Sequence, residues 1–280
     1  MVLAIDAVCN LWTKEINRTR PKVLDDQVRH FWQSYAKIDR QLYEGETVEG
    51  ILRRMDRAGI EKGFLIAPAL GIWNVPYEKI AQAVGKYPDR FHGLAGINPE
   101  ERMDGVRKLE RGVREYGFIG AHVYPHWFKT PPNDRIYYPF YAKCVELDIP
   151  IEIQIGHSAQ TYLPTVAHPM TLDDIAIYFP ELKIIGIHIG WPWVDQAIAV
   201  ALKHPNVYLG SDAHAPKYWD PKFVHFLNTR GKDKVIFGTD FPVIDFERAK
   251  REIDEIEFRK GVKEKFLREN AIRVFKLNES

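Results

Sequence analysis

Histidines and one aspartate recur at the ends of short apolar runs. His122 lies near the end of Phe118–Tyr124, with His126 just beyond it; His157 follows Ile151–Gly156, and His188 closes Lys183–His188. Ser211-Asp212-Ala213-His214 follows Asn206–Gly210, and Asp240 follows Lys234–Gly238. An imidazole binds zinc or manganese, or exchanges protons near neutral pH. A carboxylate such as Asp240 ligates a divalent cation or takes a proton from water. A lone histidine at such a point is ordinarily a hydrogen-bonded structural residue, but five of the ten histidines, on separate runs, point to one shared site. Other readings stay open: Asp240 can cap the last helix, Asp212 can cap its own backbone, and His214 can face solvent.

These runs belong to a longer pattern. Val2–Ala7, Gly63–Ala67 and Phe91–Ile97 precede them, giving eight in all. Continuous rather than alternating apolarity suits parallel strands covered on both faces. Amphipathic stretches lie between, such as Val48, Ile51, Leu52 and Met55 behind Thr47 as N-cap, and Met103, Val106, Leu109 and Val113. Glu269–Phe275 reads as a closing helix. Eight strands each followed by a helix predict an α/β fold, a (β/α)8 TIM barrel formed by residues 1–280 as a single domain. A doubly wound sheet would normally carry a glycine-rich phosphate turn after its first strand, where this chain reads Asp6-Ala7-Val8-Cys9-Asn10. The histidines and Asp240 then gather at the C-terminal barrel mouth, where barrel active sites are built. A long loop insertion after strand one, from about Lys14 to Tyr43, and a Pro-containing loop, Leu163–Met170, leave the same face and can shape the pocket.

Composition narrows the function. The chain has 280 residues, 45% of them hydrophobic, which can build a sizeable core. Lys and Arg (39) nearly balance Asp and Glu (38), which argues against a phosphate-neutralising surface and so against a nucleic-acid partner. No apolar stretch reaches the roughly 18 residues of a membrane span. The start, Met-Val-Leu-Ala-Ile-Asp, lacks the basic region of a signal peptide. Cys9 and Cys144 are too few for a disulfide framework or a thiolate cluster. The expectation is a cytoplasmic protein acting on a small molecule.

The strings Lys183-Ile-Ile-Gly-Ile-His188-Ile-Gly, Asn206-Val-Tyr-Leu and Val235-Ile-Phe-Gly-Thr-Asp240-Phe-Pro resemble the amidohydrolase-related branch of the amidohydrolase superfamily. That branch includes aminocarboxymuconate-semialdehyde decarboxylase and related hydrolases. The resemblance implies that His157 ligates a divalent metal, that Asp240 is a ligand and proton acceptor, and that His188 is the acid/base beside a metal-bound water. It also suggests a homodimer or larger homo-oligomer, for which Tyr137, Tyr138, Phe140 and Tyr141 offer an aromatic outer face. One feature departs from the pattern. The usual His-x-His at the end of strand one falls on Val8 and Asn10. Valine ligates nothing, and an amide oxygen is a weak zinc ligand beside imidazole. Three outcomes follow: His122 or His126 joins His157 and Asp240 to rebuild a zinc or manganese site; Asn10 and water complete a weak one; or His157, His188 and Asp240 form a metal-free acid/base cluster, the reading preferred here.

Five of the seven tryptophans fall on loops of the catalytic face, and Trp12, Trp127 and Trp191 are the candidates for substrate contact, with Asn10, His122 and His126. Arg18, Arg20 and Lys22 can meet a substrate carboxylate, although a solvated charged face is the plainer reading. The first expectation is water-dependent hydrolysis of a small cyclic or aromatic substrate by a His/Asp cluster. Non-oxidative decarboxylation of an aromatic or muconate-type acid is the alternative, weakened by the loss of a metal that would sit beside the carboxylate. A catalytically silent ligand-binding barrel is the third.

Overall fold

Eight parallel strands form in sequence order, each pairing with the next. In the computed structural model, which describes residues 2–38, 40–159 and 163–278, they are β1 (Ala4–Asn10), β2 (Ile60–Ile66), β3 (Phe91–Gly96), β4 (Gly120–Val123), β5 (Ile151–Gln154), β6 (Ile184–Ile187), β7 (Val207–Gly210) and β8 (Val235–Ile236). The chain is a TIM barrel. Its seam lies between the last strand and the first: the Ala7 amide donates to Phe237 O at 3.0 Å, Asp240 N–H to Val8 O at 2.8 Å, and Asn10 N–H to Phe241 O at 3.1 Å. β1 therefore runs past its apolar core to Asn10, further than its composition suggests.

Two apolar layers explain the unbroken hydrophobic runs. Ile5, Val8, Phe64, Leu94, Ile187 and Ile236 belong to the inner cluster, while Cys9, Leu65, Ala95 and Ile153 pack outward with the helices. Cys9 thus faces away from the barrel axis, as alternation along a strand requires. The helix Val48–Ala58 starts where Thr47 Oγ1 accepts the Gly50 amide at 3.0 Å and ends at Gly59, whose φ of +69° suits glycine. The closing helix spans Asn270–Phe275. Tyr137, Phe140 and Tyr141 are fully buried against the barrel and offer no outer interface face; burying them is what attaches the helix Tyr138–Glu146.

The insertion after β1 is mostly helical: Lys14–Asn17, Lys22–His30, a π-helical stretch Phe31–Ala36, and Arg40–Glu44. It is tied to the barrel mouth by Trp12 Nε1–H to Tyr43 O (3.3 Å) and Trp73 Nε1–H to Thr19 Oγ1 (2.9 Å). The loop after β5 holds one 3-10 turn, Pro164–Ala167. No described helix is long and apolar enough to cross a membrane.

Candidate active site

A cavity of ≈ 120 Å³ opens at the C-terminal ends of the strands. Asn10, Trp12, Trp127, His157, His188 and Asp240 all line it, so the strands bring these six predicted residues together. The volume is close to that of an engineered cavity of about 150 Å³ that accepts benzene. A single ring or a short conjugated chain is the matching size.

His188, just past β6, is held on three sides. Gln154 Nε2–H donates to His188 Nδ1 at 3.2 Å, which leaves Nε2 to carry the ring proton. Nε2 lies 3.2 Å from Asp212 Oδ2 and 3.8 Å from Asp240 Oδ2. The His188 backbone N–H donates to Asp212 Oδ1 at 3.1 Å, so Asp212 fixes the backbone of the residue whose ring it faces. Asn10 Nδ2–H donates to Asp240 Oδ1 at 3.0 Å and to Phe241 O at 2.9 Å, joining β1 to the end of β8 across the seam. His188, Ile189, Ala213 and Asp240 all adopt positive φ, between +47° and +69°. Such backbone costs on the order of 1–3 kcal/mol per residue and tends to gather at functional sites.

Burial decides the protonation of this cluster. It raises the Asp212 carboxyl to about 7, and it raises Asp240 well above the usual carboxylate range, with the Asp212 charge adding to the effect. Burial also holds the His188 imidazole well below its ordinary value, brings His214 down to about 4, and lowers His157. These shifts favour uncharged imidazoles and the protonated form of Asp240.

Three predicted residues do not line the cavity. His122 is buried inside the barrel, where it shares a 2.8 Å hydrogen bond with Glu152, its direct neighbour across β4 and β5. Burial lowers His122 to about 3 and raises Glu152, so both shifts favour the uncharged forms. His126 Nε2–H donates to Gly156 O at 2.9 Å and steadies the turn that carries His157. Trp191 is 44% exposed, with its ring 5.5 Å from that of His157 and 5.8 Å from that of His214. In the other direction, Gln154 and Tyr124 line the cavity without having been assigned to the site, and so do His214 and Arg20, for which a solvent-facing position was the other reading. His214 had a signal in its strand-end position. Gln154 and Tyr124 had none beyond lying in apolar runs. Arg20 is no solvated charge: its side chain is 5% exposed, whereas Arg18 and Lys22 are exposed.

The strand-one positions supply no imidazole for a divalent ion. Val8 packs in the inner apolar cluster, and Asn10 turns its amide N–H, not its oxygen, toward Asp240. His122 and His126 are committed elsewhere, so neither completes a site with His157 and Asp240. Among the described residues no group of three or more His, Cys, Asp or Glu is placed to hold a metal.

Residues 5–277 match the amidohydrolase family, and the chain belongs to it. It is 29% identical over 238 residues to the 2-keto-4-carboxy-3-hexenedioate hydratase of a Sphingobium species, covering 70% of this chain and 69% of that protein. It is 24% identical over 247 residues to the gamma-resorcylate decarboxylase of a Polaromonas species, covering 71% and 74%. Among solved structures, 5-carboxyvanillate decarboxylase of Novosphingobium aromaticivorans, crystallised with manganese, superposes with a TM-score of 0.74 at 22% identity, covering 98% of this chain and 96% of that one.

Proposed function

We propose that this chain is a lyase that decarboxylates a small aromatic or muconate-type carboxylic acid, with Asp240 as the proton donor. The observation that carries the reading is the buried Asp240 carboxyl, whose proton burial helps to retain, in a cavity walled by Trp12, Trp73 and Trp127. Hydrolysis needs a base that activates water. Decarboxylation needs an acid that protonates the carbon bearing the carboxylate. In that step the Asp240 proton forms a C–H bond, the C–C bond to the carboxylate breaks, and its electron pair returns to the ring or conjugated chain as carbon dioxide leaves. His188 Nε2 and Asp212 face the resulting Asp240 carboxylate and form the route by which it regains a proton. The curated relatives, decarboxylases and a hydratase, favour this chemistry over hydrolysis.

We further propose that the reaction runs without a resident metal, on the strength of Val8 and Asn10 at the strand-one positions. Turnover and folding are expected to survive exhaustive chelation, with elemental analysis showing far less than one zinc or manganese per chain. Stoichiometric metal lost together with activity would overturn this.

Gamma-resorcylate and 5-carboxyvanillate are the first substrates to offer, with carbon dioxide release as the readout. Asp240→Asn is expected to lower kcat by about 10²–10⁴-fold, the range of a lost general acid. The hydratase relative supports a second reading, water addition to a conjugated keto acid by the same acid. Loss of the substrate's conjugated absorbance with no carbon dioxide released would favour it and sink decarboxylation.

A further inference from the structure

Whereas Arg18 and Lys22 on the same insertion are exposed, the Arg20 side chain is buried. Its guanidinium carbon lies 4.5 Å from the ring centre of Trp12, 5.2 Å from that of Tyr43 and 5.4 Å from that of Trp32. The rings brace one another edge to face, Trp12 on Trp32 at 4.8 Å and Trp32 on Tyr43 at 5.4 Å. Such a box suits a guanidinium, which is weakly hydrated and stacks on aromatic faces while its N–H groups stay at the edge. Arg20, Trp12 and Trp32 line the cavity that also holds His188 and Asp240.

The donors of this cation are underused. Nη2 lies 3.4 Å from Asp25 Oδ1, a long ion pair, while Nε and Nη1 are buried with no hydrogen-bond partner. Unmet donors on a buried charge are costly, and a carboxylate is the group whose geometry answers them. Among the described residues that line the cavity, Arg20 is the one lysine or arginine. Burial lowers the pKa of the histidines there, so Arg20 supplies the positive potential of the pocket.

We propose that Arg20 anchors a carboxylate of the substrate and sets the enzyme's preference for anions, supplying the cation that Val8 and Asn10 do not hold. The choice of an aromatic carboxylate rests on the decarboxylase reading; recognition of an anion does not. Asp25 then acts as an internal competitor that occupies the guanidinium until substrate arrives.

The test compares binding of gamma-resorcylate with that of its neutral carboxamide, read by calorimetry and by quenching of tryptophan fluorescence, without turnover. Wild-type protein is expected to prefer the carboxylate by at least about tenfold, the worth of one charge-assisted hydrogen bond. Arg20→Met should erase that preference while leaving carboxamide affinity within about twofold. Arg20→Lys, which keeps the charge but loses the planar fork, should fall between. Asp25→Asn should strengthen carboxylate binding, a gain that loss of structure cannot imitate and that decides the matter even if Arg20→Met folds poorly. Equal weakening of both ligands by Arg20→Met, carboxylate affinity untouched by it, or a wild type with no preference would each overturn the proposal. Absence of carbon dioxide release with the carboxylate preference intact would sink the decarboxylase reading alone.

Discussion

Asp240 is acidic or basic according to its surroundings, and here burial and a second carboxyl outweigh the one amide donor, Asn10, that favours its charged form. Asp212 acts on it through charge: once ionised near pH 7 it disfavours a further negative charge on Asp240 and keeps that proton in place. The protonated donor is the active form in the proposed reaction, so activity should be lost on the alkaline side, as pH rises through the raised pKa of Asp240. Replacing Asp212 with Asn removes the like charge and lowers the Asp240 pKa. The alkaline limb of the kcat profile should therefore move to lower pH, while Asn Oδ1 can still accept the His188 backbone N–H. A profile that shifts to higher pH, or not at all, would mean that Asp212 does not govern the acid.

Strand ends and their turns turn these side chains into a constellation. Gly156, between β5 and His157, has a φ of +80°, and a Cβ there would meet the Gly190 carbonyl carbon at 2.6 Å. Gly156→Ala should therefore cost at least about 1–3 kcal/mol of stability and disturb His157 together with the turn that follows His188. Thr47→Ala, which removes only a helix cap, should cost about 1 kcal/mol and leave kcat unchanged. Denaturant melts paired with turnover assays separate the two. The eight strands were legible because strands covered on both faces must be apolar throughout, and the helices between them because of their apolar stripes. The strand-end positions of His157, His188 and Asp240 were legible for the same reason. The helices of the insertion after β1 were read as loop. His122 was misleading: its inward direction and its pairing with Glu152 come from the register of β4 against β5, which no local pattern announces. Arg20 was hidden because its burial depends on Trp12, Trp32 and Tyr43, brought to it by the fold of a whole insertion.

The barrel as a whole closes on a polar seam. Asp6 accepts the Thr239 backbone N–H at 3.0 Å and the Thr239 hydroxyl at 2.5 Å, and burial raises its carboxyl to about 7. The folded chain thus holds a proton there that the unfolded chain releases above about pH 4. The stability this provides is full below that pH and is lost as pH rises through about 7. Asp6→Asn should flatten this decline, read as the difference in denaturation midpoint between pH 5 and pH 8; an unchanged difference would mean that the seam does not titrate. The same seam has a consequence for the nascent chain. Asn10 and Asp240, bonded across it, are 230 residues apart in sequence. At synthesis rates of about 5–20 residues per second, β1 waits roughly 10–50 s for the partner that completes it. Throughout that interval the polypeptide on the ribosome has neither a closed barrel nor Asp240, so the site at the barrel mouth is completed all at once, with the last strand.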